Sequence, residues 1–499
     1  MDLQTSIYEN TIDPAVADDV IPLCELARNF EGAGEFDQAA ETLRPFWKGL
    51  LNRPNTNGLP VEAQAELLLR TGTLTGWLGS ARQFPGSQEV AKDLISESAG
   101  LFESLSLSEK VAETRVDLAI CYWREGALDE ARVTLKLVLD NLQVSQSEQR
   151  LRALLNSAIV ESTAINDQVA LNICVEAAPL FDLSSNHILK GKFHNSYATV
   201  LKNLGTSKNR EDYIDRALVE FAAASYHFER AGDKRFRALV ENNVGFLFAT
   251  IGRFDEAHQH LTNARSLHLS VGNEGGAAGA EDTRAQAFLL EGNYGEAERV
   301  ARRAIQTLRR GGEQAVLAEA LTTHGKALAR LSQSQVAKTE LDEALKIAQN
   351  AGNPHRAGLA AVTAIEELSD LESDALQDYY RTAETLLANS QNPSIRTRLG
   401  ECARRVLATA LASTEEATPA TTDAVDLTPG FSLDSEVLRY EGNLIRRALE
   451  ESGGSVTRAA RLLGVTHQGL AFILNGRHSD LQSIRTPVKR RRKSIIRHH

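Results

Sequence analysis

Apolar positions between residues 20 and 410 recur with the spacing of α-helices. An alanine is followed four and seven residues later by another small or apolar residue in three similar stretches, 253–264, 293–304 and 333–344. Such positions share one face of a helix, whereas a strand would alternate at every second residue. The first alanines of these stretches lie forty residues apart, at Ala257, Ala297 and Ala337, and Ala217 extends the series backward. The pattern predicts repeated helices.

A glycine and an aromatic residue stand just before this helix in two of the stretches, at Gly252 with Phe254 and at Gly292 with Tyr294. A glycine in that place ends an upstream helix in a turn. Each unit is therefore predicted to be a helical hairpin. Looser copies occur earlier, at 34–46 and 126–138.

The forty-residue units resemble the tetratricopeptide repeat, whose usual period is about 34 residues. The longer period indicates longer helices or loops than in the minimal repeat. The resemblance covers most of residues 20–410 and is weak around residues 50–100 and 150–200. It implies a superhelix whose concave face binds a protein or a peptide. The alternative is that the repeats only hold the two ends of the chain apart.

The sequence changes character after Leu411. Residues 412–433 are rich in Thr, Ala and acidic residues, and they contain Pro419 and Pro429. They show no helical period, so we expect a flexible linker. The repeat array is accordingly assigned to residues 1–411.

Helical spacing resumes at residue 434. Leu438, Leu444, Ile445 and Leu449 are expected to mark one face of a helix that ends at Gly453 and Gly454. Two short helices should follow, with Ser455 and Thr466 as their N-caps and Gly464 in the turn between them. Their expected core consists of Ala459, Ala460, Leu463, Val465, Leu470 and Ile473. This is helix-turn-helix spacing, and we assign the domain to residues 434–478.

This segment resembles the helix-turn-helix of Fis-type bacterial DNA-binding proteins, on the stretch LIRRALEESGGSVTRAARLLGVTHQGLAFIL. The resemblance implies that the helix 466–475 enters the major groove of DNA and that Arg458 contacts phosphate. This helix lacks the Arg and Lys usual in the family, and Phe472 has no assigned role. The predicted DNA-binding residues of the domain are Ser455, Arg458, Thr466, His467, Gln468, Gly469, Asn475 and Arg477.

Charge is distributed unevenly along the chain. The net charge is -11 over 499 residues, yet residues 434–499 carry 13 Lys and Arg against 6 Asp and Glu, a net charge of +7 that leaves -18 for the first 433 residues. A basic tail, residues 479–499, suits DNA phosphates or the minor groove. Its predicted contacts are Lys489, Arg490, Arg491, Arg492 and Lys493. A solvated tail that only favours solubility is the alternative.

Several function classes find no support in the sequence. No apolar run approaches the roughly 18 residues of a membrane helix, and the acidic start has no signal-peptide character, so we expect a cytoplasmic protein without a membrane contact. The four cysteines form no CxxC pair, so they are predicted to be buried thiols without metal. His258 and His260, two apart on a helix, point to different faces and do not suit a shared metal ion.

No catalytic motif and no cofactor site is recognised. The glycine-rich stretch 272–281 lacks the GK[ST] of a phosphate loop and is interpreted as a turn between repeats. The expected fold is all-α, a tetratricopeptide-like helical-hairpin superhelix followed by a small helix-turn-helix domain. The expected function is a non-enzymatic transcriptional regulator that binds double-stranded DNA, with a protein or peptide partner on the array and a possible homodimer. The alternative is a protein–protein adaptor with a small C-terminal interaction domain or a nonspecific nucleic-acid anchor.

Overall fold

A computed structural model describes residues 19–81, 84, 86–142, 147–311, 313–388, 390, 392–417 and 432–484. The chain forms two compact units, with the boundary between Ser413 and Thr414. The described residues form helices and turns, with no strand among them. The expectation of an all-α fold is therefore confirmed.

The first unit contains nineteen α-helices in its described part. They are α1 (Val20–Gly32), α2 (Phe36–Thr42), α3 (Val61–Ala81), α4 (Ser87–Ser104), α5 (Ser108–Glu125), α6 (Leu128–Asn141), α7 (Glu148–Thr163), α8 (Asp167–Asp182), α9 (His187–Lys208), α10 (Glu211–Arg230), α11 (Lys234–Thr250), α12 (Phe254–Ser270), α13 (Glu274–Glu291), α14 (Tyr294–Leu308), α15 (Gln314–Arg330), α16 (Ser334–Asn350), α17 (Pro354–Glu367), α18 (Ser373–Leu387) and α19 (Pro393–Ala417).

The second unit contains three α-helices and a short 3-10 helix in its described part. They are α20 (Leu433–Glu451), α21 (Val456–Leu462), α22 (His467–Asn475) and the 3-10 helix Ser479–Ile484. Residues 433–475 thus fold as a helix, a turn that contains two glycines, a short helix, a second turn and a third helix.

The repeats are helical hairpins that pack into a superhelix. In the best-matched units α11 pairs with α12, α13 with α14 and α15 with α16. The first helix of each hairpin also contacts the first helix of the next, α11 with α13 and α13 with α15. The period of forty is explained by α11 and α12, which have 17 residues each and are followed by turns of three residues. Of the two predicted explanations, longer helices or longer loops, the structure thus shows longer helices.

The recurring small residues pack between the two helices of each hairpin. Ala217, Ala257, Ala297 and Ala337 are all fully buried. Their partners on the first helices include Gly245, where a Cβ atom would lie 2.6 Å from Leu261 Cγ, and Gly325, where it would lie 2.7 Å from Leu341 Cγ. Such distances leave no room for even a methyl group. The close approach of the helices therefore requires these glycines.

The turn inside the hairpin uses a left-handed backbone conformation in all three best-matched units. Gly252 and Gly292 have φ of 80° and 83°, and their amides donate to the carbonyl oxygens of Ala249 and Leu289. Ser332 takes the equivalent place in the third unit, with φ of 61°. The conformation is favoured by glycine but is also adopted where the sequence has a serine. The predicted role of the two glycines in ending the upstream helix is confirmed.

The predicted C-terminal boundary of the repeat array is corrected by the structure. The helix α19 continues to Ala417, six residues beyond the boundary placed at Leu411, because four of these six residues are Ala or Glu, which are strong helix formers. Residues 418–431 of the predicted linker lie outside the described residues.

The glycine-rich stretch 272–281 is a turn only at its beginning. Gly272 has φ of 69°, and α13 begins at Glu274, so the remaining glycines belong to a helix. The side chain of Asn273 caps this helix by accepting from the amide of Gly276 at 2.8 Å. A Cβ atom at Gly276 would lie 2.6 Å from His268 Nδ1, so the glycine accommodates that ring.

Candidate nucleic-acid interface

The core of the second unit is small and is contributed by all four of its helices. Buried side chains from these helices form one cluster, which consists of Ile445, Ala448, Leu449, Val456, Ala459, Ala460, Leu470, Leu474 and Leu481. Leu463 and Ile473 pack against it while partly exposed. The predicted core positions Ala459, Ala460 and Leu470 are confirmed as buried.

One position was wrongly predicted to face this core, and of the four residues predicted to share one face of α20 only Ile445 and Leu449 are buried. Val465 in the turn is 43% exposed, and Leu438 and Leu444 on α20 are 38% and 45% exposed. Leu444 is exposed because α20 carries two apolar faces, and only the face with Ile445, Ala448 and Leu449 meets the short helices. Leu438 lies seven residues before Ile445 on that same face, but it is not part of the core cluster. The other face lies on the surface and is formed by Leu444, Val437 and Tyr440, which are all exposed.

The two turns hold the three helices in a helix-turn-helix arrangement. Gly453 and Gly454 have φ of 60° and 76°, and the Gly454 amide donates to Leu449 O at 2.8 Å, which ends α20. Gly464, with φ of 65°, makes the turn between α21 and α22, as predicted. Only a residue that tolerates the left-handed region fits these places without strain.

The N-caps of the two short helices differ from each other. Thr466 Oγ1 accepts from the amide of Gly469 at 3.0 Å and caps α22, as predicted. Ser455 occupies the N-cap position of α21, but its side chain makes no capping hydrogen bond there, so that part of the expectation is wrong. The backbone at Ser455 is extended, and this alone places it at the start of the helix.

The predicted DNA-binding residues occupy three parts of the unit. Arg458 is exposed on α21, and His467 and Gln468 are exposed in the first turn of α22, where Gly469 is half-buried. Asn475 ends α22, and its Oδ1 accepts from Gln482 Nε2 at 3.2 Å. The contacts predicted in the tail, Lys489 to Lys493, lie outside the described residues.

Arg477 lies apart from this group because it is paired within the unit. Its guanidinium donates to a carboxylate oxygen of Glu441 on α20. His478 donates from Nε2 to the other carboxylate oxygen of Glu441 at 2.9 Å. Burial opposes the charge of Glu441, but the two hydrogen bonds outweigh it and lower the pKa of this carboxyl. Arg477 is therefore placed to fasten the segment after α22, a role that sequence reasoning missed.

The face of α22 that points away from the core is formed by polar side chains and one aromatic. Leu470 and Leu474 are fully buried, and on the opposite side lie Gln468 and Phe472, the latter 80% exposed. The structure thus shows Phe472 to be a surface residue. Its position one turn after Gln468 was readable from the sequence, but its exposure was not.

Residues 439–471 match the family model for bacterial regulatory proteins of the Fis family. The match covers the segment from α20 to the first half of α22. Residues 439–471 are therefore a Fis-type helix-turn-helix. No curated protein matches the chain at a significant level.

Solved structures similar to the chain are helical repeat proteins. Yeast Tom70 is 14% identical with a TM-score of 0.49, and the match covers 82% of this chain and 86% of that one. A signal transduction ATPase with a tetratricopeptide repeat sensor, from Pyrococcus horikoshii, is 11% identical with a TM-score of 0.45, over 78% of this chain and 54% of that one. The protein NprR, solved with its cognate peptide NprX, is 11% identical with a TM-score of 0.41, over 69% of this chain and 99% of that one.

The first helices of the hairpins carry polar groups between the apolar contacts. Asn243 Nδ2 donates to Asn195 Oδ1 at 3.0 Å, which joins α11 to α9. Asn242 Oδ1 is buried and has no hydrogen-bond partner among the described residues. Forty residues later Asp282 is buried and accepts from Gln286 Nε2 at 2.9 Å, and burial followed by the nearby charge of Glu319 raises its pKa.

Four cysteines, two histidines and the lengths of the helices bear on the other function classes. Cys24, Cys121, Cys174 and Cys402 are buried and unpaired with one another, which confirms them as buried thiols. His258 and His260 contact different carboxylates, of Glu291 and Glu241, so they do not face a common point. Within the described ranges, no helix is long and apolar enough to cross a membrane.

Proposed function

We propose that this protein is a cytoplasmic transcriptional regulator whose C-terminal unit binds double-stranded DNA and whose repeat array binds a protein or peptide. The observation that carries the proposal is the match of residues 439–471 to the Fis family, on a segment that folds as a helix-turn-helix. In such modules the second short helix enters the major groove. Here that helix is α22, and His467 and Gln468 lie exposed at its N-terminal end.

The chemistry of α22 supports contacts with base edges. Glutamine and asparagine suit adenine, and histidine can donate a hydrogen bond in either charge state. Affinity for the phosphates would come from the basic residues of the C-terminal part, which has a net charge of +7 from residue 434 onward. Sequence reading is thus a role of α22, and most of the affinity for DNA comes from the basic residues after residue 434. No residue is given a catalytic role.

The ligand of the array is proposed to bind along the first helices of the hairpins. Polar groups there alternate with apolar contacts, and the Oδ1 atom of Asn242 has no partner among the described residues. Asn242 as a residue is half-buried, and rotation of its side chain would let the amide hydrogen-bond an N–H group of a bound chain. An extended peptide or a protein segment offers such groups at regular spacing.

A homodimer is proposed through α20. Val437, Tyr440 and Leu444 lie three and four residues apart, so they share one face of the helix, and all are exposed. Helix-turn-helix proteins bind paired half-sites as dimers, so a second copy of the chain is the occupant we propose for this face.

An adaptor is the second candidate function, and two observations favour it. No Lys or Arg occurs in α22, and Arg477 is paired with Glu441. An exposed phenylalanine such as Phe472 also suits a protein contact.

Measured DNA binding by the full chain tests the proposal. We expect duplex DNA to be shifted at low salt, with an observed association constant that falls linearly on a logarithmic plot as salt rises. A full chain that fails to shift duplex DNA even at low salt would remove the regulator and leave the adaptor.

A further inference from the structure

The outward face of α22 is centred on Gln468, Phe472 and Asn475. These residues are spaced by four and three positions, so each lies nearly above the last on a helix with 3.6 residues per turn. On the opposite side of the helix, Leu470 and Leu474 are fully buried. Because the core fixes the rotation of α22 through those two leucines, Gln468 and Phe472 must both point away from the unit.

Phe472 is the most exposed of the large hydrophobic side chains in the described part of the chain. It is 80% exposed, whereas the next, Leu183, is 70% exposed. Its ring contributes little to the core cluster, of which it is not a member. An apolar ring at the centre of a face that is otherwise polar gains free energy only when a partner covers it.

The residue types on this face distinguish between base pairs. Guanine is most often read by Arg or Lys, and α22 contains neither. Glutamine forms two hydrogen bonds with the N6 and N7 atoms of adenine, and phenylalanine packs against the methyl group of thymine. Both preferred partners therefore belong to A·T base pairs.

The spacing of the two side chains fits neighbouring positions in the groove. Residues four apart rise by about 6 Å along a helix, and successive bases of one strand are about 3.4 Å apart along duplex DNA. A helix lying along the groove would thus present Gln468 and Phe472 to positions about two base pairs apart. Asn475 is held by Gln482 and is not needed for this readout.

We propose that α22 reads A·T base pairs, with Gln468 bound to an adenine edge and Phe472 packed against the 5-methyl group of a thymine. This inference rests on the proposed DNA-binding function and names the class of operator that the function would use. Phe472 then acts as a specificity-determining residue. Its ring is exposed in the free protein and is covered when DNA binds.

Replacement of thymine by uracil tests the contact, since uracil lacks only the 5-methyl group. The full chain first selects its best site from a random duplex library, and each thymine of that site is then replaced in turn. At the contacted thymine we expect binding to weaken about fourfold, which corresponds to about 0.8 kcal/mol for one buried carbon. The variant Phe472→Ala should bind the thymine and uracil duplexes equally well.

Leu462→Ala is the matched control. Leu462 is also an exposed apolar residue, 60% exposed, but it ends α21 and is absent from the outward face of α22. The control should keep the fourfold difference between thymine and uracil. Both substitutions remove exposed side chains, so both variants should unfold at nearly the wild-type temperature.

The outcomes separate the inference from the proposed function. If the chain selects a site but no uracil replacement weakens binding, the inference is wrong and the regulator stands. If Phe472→Ala retains the difference between thymine and uracil, the ring does not contact the methyl group and the inference is also wrong. If the chain shows no preference among duplexes, sequence reading fails, and the assignment of Phe472 fails with it.

Discussion

His478 donates from Nε2 to Glu441 Oε2 across 2.9 Å, and this hydrogen bond joins the segment after α22 to α20. The imidazole is buried, and the absence of a side chain at Gly442 makes room for it, since a Cβ atom there would lie 3.1 Å from His478 Cε1. Glu441 accepts from Arg477 as well. The carboxylate thus fixes the end of α22 relative to α20.

Replacement of Glu441 by Ala should loosen the helix-turn-helix unit. The buried N–H group of His478 would lose its acceptor, which costs about 1–3 kcal/mol. Hydrogen exchange, followed by mass spectrometry of peptides from α22, measures this local opening. The control is Glu451→Gln, because Glu451 pairs with Arg447 where both side chains are more than half exposed. Equal exchange in the two variants would contradict the structural role of Glu441.

Replacement of Gly245 by Ala should destabilise the repeat array. The new methyl group would meet Leu261 Cγ at 2.6 Å and Ala257 O at 3.1 Å, and overpacking of this kind costs about 1–3 kcal/mol. Gly100→Ala is the matched control, since this glycine lies in α4 with no heavy atom within 4 Å of the added carbon. The control should be stabilising by up to about 1 kcal/mol, because alanine is the better helix former. Thermal unfolding of both variants checks the difference, and a tolerated Gly245→Ala would contradict the packing described.

The stability of the array should decrease as pH rises through neutrality, in part because of Asp282. Burial, followed by the nearby charge of Glu319, raises the pKa of Asp282 from 3.8 to about 7. A carboxyl whose pKa is raised in the folded chain contributes stability that is complete below its unfolded pKa and is lost as pH rises through the folded pKa. Each unit of such a shift corresponds to about 1.4 kcal/mol.

The variant Asp282→Asn isolates that contribution. Its unfolding temperature should fall less than that of the wild type between pH 5 and pH 8, since asparagine does not ionise. Asp378→Asn serves as the control because Asp378 is 75% exposed beside Arg381. Parallel pH profiles for the wild type and Asp282→Asn would show that Asp282 ionises without penalty.

Association of two chains should depend on the exposed face of α20. Tyr440→Asp places a charge among Val437 and Leu444, so a dimer that buries these side chains should dissociate. Sedimentation velocity measures the change. Val133→Asp, at a site that is 62% exposed on α6, is the control and should leave association unchanged. A wild-type chain that sediments as a monomer at all concentrations would remove the proposed dimer.

The local features of this fold could be predicted from the sequence because they depend on neighbouring residues. The spacing of Ala257 and Leu261 gives the helical face, and Gly454 and Gly464 give the turns. The sequence could not show which of the two apolar faces of α20 packs inward, because both have helical spacing. Leu444 and Ile445 are adjacent, yet only Ile445 is buried.

Contacts between distant segments account for the rest of the candidate site. The pairing of Arg477 with Glu441 spans 36 residues and depends on how the chain returns after α22. A basic residue just after a reading helix is equally consistent with a phosphate contact, so the sequence alone could not show the pairing with Glu441. The predicted contact of Arg477 with DNA stays a prediction. The exposure of Phe472 likewise follows from the burial of Leu470 and Leu474, which is a property of the packed unit.

Sequence reading by α22 is the central claim, and competition across a random duplex library tests it most directly. The full chain is compared with the double variant His467→Ala, Gln468→Ala and with the triple variant Arg490→Ala, Arg491→Ala, Arg492→Ala. A good bidentate base contact is worth about 1–3 kcal/mol of discrimination, so the double variant should lose most of its discrimination and keep only the roughly fourfold preference that Phe472 contributes. The triple variant should weaken binding to every duplex and flatten the salt slope by up to about 2.7, while its order of preference is unchanged. The account would be contradicted if the wild-type chain showed no preference among duplexes, the double variant bound like the wild type, and the triple variant lost all binding. The adaptor with a nonspecific nucleic-acid anchor would then be the better explanation.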